Sequence, residues 1–118
     1  MDNPWATKME QFTRFNTEER RRLDEMIEKE TRTFGAREDL LAEGSRSDHC
    51  HVLLAGLACR YKILPDGERQ ITAFLIPGDL CDAEVFILKE MDHAVRALVP
   101  CTAAIIHADV MRKLLCQP

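Results

Sequence analysis

Five glycines spread over residues 35 to 78 constrain the fold of this chain more than any other feature. They are Gly35, Gly44, Gly56, Gly67 and Gly78. Pro65-Asp66-Gly67 lies at hairpin distance from Pro77-Gly78-Asp79, and a β-rich run separates the two. Proline presets its own φ and glycine accepts a positive φ, so both sequences predict reversals of the backbone. A chain that reverses this often forms short strands.

Apolar stretches between the turns predict those strands. We expect them at residues 52–55, 57–63, 70–76, 94–99 and 101–107. In the second stretch, Leu57, Cys59, Tyr61 and Ile63 alternate with Ala58, Arg60 and Lys62, which is the period of a half-buried strand. Pro100 separates the last two strands because it cannot donate to a ladder. Short strands with frequent turns indicate a mainly β fold with flanking helices, of the double-stranded β-helix or jelly-roll type.

The two ends of the chain have helical patterns. Asn16 is a good N-cap, and Glu19 stands three residues on, as in a capping box. This helix is predicted to end near Thr33, because Gly35 is a natural residue after a helix. Asp109 is a good N-cap for a closing helix. The sequence therefore predicts one domain over residues 1–118, with a helical segment at 1–34, a β-roll at 35–107 and a closing helix at 109–115.

Composition excludes several classes of protein. The chain has 118 residues, of which 46% are hydrophobic, so it suits one compact globular domain. Its net charge is −4 and neither half of the chain has an excess of basic residues, unlike a nucleic-acid surface. No apolar run reaches the roughly 18–20 residues of a membrane span, and the N-terminus lacks the pattern of a secretion signal. We therefore expect a cytoplasmic protein. The five cysteines form no Cys-x-x-Cys pair, which argues against disulfide and structural zinc frameworks.

The order of turns resembles the cyclic-nucleotide-binding β-roll of Crp-Fnr transcription regulators over residues 12 to about 115. The resemblance lies in the five glycines and in three stretches around them: Val52 to Gly56, Tyr61 to Gly67, and Phe74 to Asp79. It implies a sensory domain that is not an enzyme, with a possible small-molecule effector. It also implies a homodimer for a full-length protein, and DNA binding only through a domain that is not in this chain. No further cofactor is implied.

The family's ligand cassette looks degenerate in this chain. In the family, a Gly-Glu pair holds the ribose, and an Arg-Ser-Ala or Arg-Thr-Ala sequence holds the cyclic phosphate. This chain has Asp82-Ala83 and Asp92-His93-Ala94 at those positions, and a one-residue shift would let Glu84 take the ribose role. Residues 79–92 carry five carboxylates and one lysine, whereas a phosphate cradle needs donors and positive charge. The resemblance therefore implies a sensor that does not bind cyclic AMP.

Two other groups of residues have possible chemistry. His49 and His51 have the His-x-His spacing of cupin metal sites, so a small metal-binding protein or metalloenzyme is the alternative function. The Glu that a cupin would add is absent, because residues 52–58 are all apolar or glycine. Cys81 follows the Pro77-Gly78-Asp79 turn, where a helix N-terminus would lower its pKa. It is the candidate for a redox-responsive thiol.

Overall fold

A computed structural model describes residues 16–44, 48–82, 91 and 93–110. The first element is the helix α1, Thr17–Lys29, which starts directly after Asn16 as the sequence predicted. It packs against the last strand of the fold, and the Ile27 side chain on that helix is 1% exposed. The helix ends earlier than predicted.

Residues 31–34 form a strand, although the sequence predicted a helical segment to residue 34. The strand β1, Thr31–Phe34, pairs antiparallel with residues 101–104. Two threonines and a phenylalanine favour a strand locally, and the ladder satisfies backbone groups that a last helical turn would leave open. Pairing with a distant part of the chain therefore overrides the stop signal expected from Gly35.

Six more strands follow in chain order. They are β2 Asp39–Leu41, β3 His49–Ala55, β4 Ala58–Ile63, β5 Arg69–Leu75, β6 Ala94–Ala97 and β7 Cys101–His107. The sequence predicted five of them, with ends that differ by up to three residues. Residues 108–110 are helical, and the rest of the predicted closing helix lies outside the described residues.

The strands form two antiparallel sheets, one in the order β1-β7-β3 and the other in the order β2-β6-β4-β5. This mainly β arrangement confirms the predicted jelly-roll class. A main core of buried side chains includes Phe34, Leu53, Leu75, Met91 and Val95. Four of these residues lie on strands of the two sheets, and Met91 lies between β5 and β6. Burial of their side chains against one another holds the two sheets together.

The burial of side chains along β4 differs from the prediction, in which one face of the strand is buried and the other is exposed. Ala58 belongs to the main core, while Cys59 and Tyr61 form a second buried cluster with Ala94. Ile63, which was predicted to be buried with them, is 54% exposed near the hairpin turn. The hairpin thus extends beyond the core, and only the first part of β4 is enclosed on both faces.

The second cluster has a polar edge around Tyr61. The Tyr61 hydroxyl donates to Asp39 Oδ2 at 2.9 Å, and Arg96 Nε donates to Asp39 Oδ1 at 2.8 Å. The guanidinium groups of Arg69 and Arg96 lie 5.4 Å and 5.3 Å from the ring centroid. Burial and the bond to Asp39 raise the pKa of Tyr61.

We expect Asp39→Asn to lower the pKa of Tyr61, because the amide lacks the negative charge that opposes formation of the phenolate. The chain has a single tyrosine, so its near-ultraviolet absorbance as a function of pH reports this group alone. Asp66→Asn, in an exposed turn, is the control and should leave the titration unchanged. An Asp39→Asn protein that titrates like the wild type would contradict the assigned cause.

Candidate functional site

The turn after β5 is closed by one aspartate. Asp79 Oδ2 accepts the Ile76 N–H at 2.8 Å, and the Asp79 N–H donates to the Ile76 carbonyl at 3.0 Å. Gly78 has a φ of 99°, which glycine adopts without strain. The predicted Pro-Gly turn is therefore present, and its aspartate side chain serves the turn itself.

Residues 78–82 then run beside β3 like a short extra strand. The Gly78 N–H donates to the Leu53 carbonyl at 2.8 Å, and the Cys81 N–H donates to the His51 carbonyl at 2.8 Å. Val52 and Leu80 form an isolated antiparallel bridge between these two bonds. This segment leads into the region that resembles the ligand cassette, so β3 fixes the point at which that region begins.

The Asp82 side chain continues this ladder. Its Oδ1 accepts the backbone N–H of His51 at 2.7 Å, and its Oδ2 lies 2.8 Å from His51 Nδ1. The Asp82 side chain is completely buried and the His51 side chain is 7% exposed. The imidazole donates from Nδ1 to the carboxylate, because a carboxylate carries no hydrogen and can only accept. The pair therefore anchors the start of the cassette to β3.

This geometry changes the interpretation of two predicted residues. Asp82 was predicted as part of the ligand-binding cassette, and its carboxylate is directed to β3. His51 was considered as a metal ligand and is instead the partner of Asp82. Sequence reasoning had no signal for the pair, because 31 positions separate the two residues.

Arg60 is a residue near the cassette that sequence reasoning did not single out. It shares a face of β4 with the core residue Ala58, and its guanidinium donates to the Leu80 carbonyl at 3.1 Å. Its positive charge lowers the pKa of the neighbouring Cys81 thiol, although burial outweighs this effect. The alternation along β4 gave no signal for it, since it placed Ala58 and Arg60 together on the face opposite the predicted buried one.

Cys81 lies in the main core and is completely buried. Burial and the nearby Asp82 raise the pKa of its thiol, so the lowered pKa expected from a helix N-terminus is wrong. A buried thiol with a raised pKa carries little thiolate, which is the form that reacts. The environment therefore disfavours a redox role for Cys81.

We expect iodoacetamide to leave Cys81 unlabelled in the native protein, because the reagent needs an accessible thiolate. Cys50, Cys59 and Cys101 are also buried and should be protected in the same way. Peptide mass spectrometry after labelling in buffer and in denaturant measures each site separately, and the denatured sample is the control for intrinsic reactivity. Rapid labelling of Cys81 in buffer would restore the redox hypothesis.

The second half of the predicted cassette is described only in part. His93 is half-buried and precedes β6, and Ala94 is buried against Tyr61 at the start of that strand. Ala83, Glu84 and Asp92 lie outside the described residues. Of the five predicted cassette residues, the structure thus describes Asp82 and His93.

The cupin alternative is not supported. His49 and His51 have different surroundings, since His51 is buried with Asp82 while His49 is exposed and its ring lies 5.2 Å from that of His107. Among the described residues, no group of three or more His, Cys, Asp or Glu side chains is arranged to hold a metal ion.

No helix in the described part of the chain is long and apolar enough to cross a membrane.

Comparison with known sequences identifies one family. Residues 31–117 match the family described as the cyclic nucleotide-binding domain, which is most of the chain. The transcriptional activatory protein AadR of Rhodopseudomonas palustris is 46% identical over 46 residues. Those residues are 39% of this chain and 19% of AadR, so the similarity spans about a fifth of that relative.

Solved structures share the fold. The N-terminal domain of a transcriptional regulator from Streptomyces coelicolor has a TM-score of 0.74 at 18% identity, covering 88% of this chain and 72% of that one. A CRP-family transcriptional regulator from Thermus thermophilus has a TM-score of 0.65 at 21% identity, covering 68% of this chain and 41% of that one. The TM-scores establish the β-roll architecture, whereas identities this low do not identify a ligand.

Proposed function

Because this chain belongs to the cyclic nucleotide-binding domain family, we propose that it is the sensory domain of a Crp-type transcription regulator and that it does not bind cyclic AMP. The family match over residues 31–117 and the AadR similarity support the regulatory role. In this proposal the domain performs no catalysis and acts in the cytoplasm. DNA binding belongs to another domain of the full protein, which acts as a homodimer.

The loss of cyclic AMP binding rests on the charge of the cassette. The family's phosphate-binding arginine aligns with Asp92, and its ribose-binding glutamate aligns with Ala83. A carboxylate near a phosphate repels it, and a methyl group cannot accept a hydroxyl hydrogen. In this alignment the two substitutions remove both groups that give a cyclic nucleotide its orientation, and a one-residue shift that brings in Glu84 would still leave no arginine.

The contacts at residue 82 add to this argument. In this proposal Asp82 occupies the glycine position of the Gly-Glu pair, and its carboxylate bonds to β3, which places a buried acid at the start of the cassette. Arg60 is a described cation close to this region, and it already donates to the Leu80 carbonyl. It stands on β4, not at the position from which the family holds the cyclic phosphate.

The observation that carries the proposal is the absence of arginine at residue 92, and calorimetric titration tests it. We expect no measurable heat of binding when cyclic AMP or cyclic GMP is added to the wild-type chain at millimolar concentration. A domain that keeps the family's charged groups would bind in this range. Each charge-assisted hydrogen bond that is lost costs about 1.5–3 kcal/mol of binding free energy. Saturable binding of either nucleotide would overturn the loss of cyclic nucleotide binding, while leaving the family and fold in place.

A further inference from the structure

The open end of the three-stranded sheet brings two histidines together. His49, the first residue of β3, is the register partner of His107, the last residue of β7. The Ala108 N–H donates to the Asp48 carbonyl at 2.7 Å, which closes the ladder just beyond the pair. The two ring centroids are 5.2 Å apart and the planes are inclined by 77°. His49 is exposed, and the side chain of His107 is 46% exposed, so metal ions in solution can reach both rings.

This separation matches the spacing of two imidazoles on one metal ion. A zinc–nitrogen distance of about 2.0–2.1 Å places each ring centroid about 3.2 Å from the metal, and a tetrahedral angle then puts the centroids about 5.2 Å apart. The observed distance is 5.2 Å. Rotation about the soft terminal χ2 torsion can direct a nitrogen from each ring to a common point without moving the strands.

Asp109 lies next to the Nδ1 atom of His107, where a metal-binding histidine commonly has a second partner. The Asp109 N–H lies 3.2 Å from His107 Nδ1, and Asp109 Oδ2 lies 3.8 Å from the same nitrogen. When Nδ1 accepts the backbone N–H, a neutral imidazole carries its hydrogen on Nε2. A metal on Nε2 requires that hydrogen on Nδ1, where the Asp109 carboxylate can accept it.

The change of tautomer has a structural consequence. Once Nδ1 carries the hydrogen, it no longer accepts the Asp109 N–H. That N–H belongs to the helical residues 108–110, which follow β7 directly. Metal binding would therefore replace a backbone contact by a carboxylate contact at the start of this helical segment.

We propose that His49 and His107 form a two-histidine site for a divalent transition metal ion, and that its occupation changes the contacts of Asp109. Imidazole suits zinc, copper and nickel ions. With no third described side chain in place, water would complete the coordination, so the ion exchanges readily with solution. The site lies at the end of the sheet, and it does not depend on the proposed loss of cyclic AMP binding.

Zinc titration of the whole chain by calorimetry tests the site. Every protein carries Cys116→Ser, because that thiol would compete for zinc. We expect one zinc ion per chain in the reference protein, and affinity lower by about tenfold or more in His49→Ala and in His107→Ala. His93→Ala is the matched control and should bind as the reference does. Equal zinc affinity in the reference and in the double variant His49→Ala/His107→Ala would overturn the proposal.

Backbone amide NMR separates loss of metal binding from loss of folding. The zinc-free spectra of the variants should keep the dispersed resonances of the reference protein, since both histidines are at the surface. Zinc should shift the Asp109 amide in the reference protein and leave it unchanged in the double variant. A bound zinc ion that leaves the Asp109 amide of the reference protein unchanged would refute the coupling to the helical segment.

Discussion

Replacing Asp82 with alanine is expected to destabilise the domain by about 2–6 kcal/mol, because two buried donors lose their acceptor and each such loss costs about 1–3 kcal/mol. The carboxylate accepts hydrogen bonds from both the backbone N–H and the imidazole of His51, and both side chains are buried. Alanine would leave two buried donors without an acceptor. Because folded domains are stable by only about 5–15 kcal/mol, this loss should be visible directly in urea denaturation.

A double-mutant cycle assigns the effect to the pair. His51→Ala keeps the backbone N–H bond to Asp82 and removes only the imidazole, so we expect a smaller loss than for Asp82→Ala. The double variant should lose less than the sum of the two single losses, because the side chains share one interaction. Asp66→Ala is the control, since Asp66 also accepts a backbone N–H but in an exposed turn. Strictly additive losses for Asp82 and His51 would contradict the assigned contact.

Gly56→Ala is expected to destabilise the fold by about 3–5 kcal/mol, combining backbone strain with overpacking. Gly56 has a φ of 102°, and a Cβ at this position would lie 2.6 Å from the Pro100 carbonyl oxygen and 2.7 Å from Cys101 Sγ. The oxygen belongs to the backbone that leads into β7, so it cannot move without shifting the central strand of the three-stranded sheet. Thermal and urea denaturation measure the loss.

Gly67→Ala is the matched control for this change. Gly67 has a similar φ of 89°, but a Cβ there would meet no atom within 4 Å. Its variant should therefore show the strain alone, about 1–2 kcal/mol. The difference between the two variants measures the close approach of Gly56 to Pro100 and Cys101. Equal losses would show that this contact has no energetic role.

Turn chemistry made most of this fold predictable from the sequence. Four of the five glycines, Gly44, Gly56, Gly67 and Gly78, have positive φ, and the strands between them follow from the apolar runs. Gly35 does not share this geometry. The strand at residues 31–34 was not predicted. These residues could continue α1 or pair with β7, and the choice depends on residues about seventy positions away.

The candidate site was less predictable, since its contacts join distant parts of the chain. The resemblance to the family assigned Asp82 to a glycine position of the cassette, but the sequence gave no reason to connect Asp82 with His51. The same limit applied to His49. Its spacing from His51 suggested that the two share a metal ion, whereas the register of β3 with β7 places His49 opposite His107. The raised pKa of Cys81 also follows from three-dimensional enclosure, which the turn before it did not reveal.

Titration of cyclic AMP into the wild type and the variant Ala83→Glu/Asp92→Arg/His93→Ser, side by side in one calorimeter, tests the central claim most directly. The variant places glutamate, arginine and serine at the positions that the proposal assigns to ribose and phosphate binding, and it retains Asp82, so the anchor to His51 stays intact. The account predicts no saturable heat for the wild type and saturable binding for the variant. Saturable binding of cyclic AMP by the wild-type chain would contradict it.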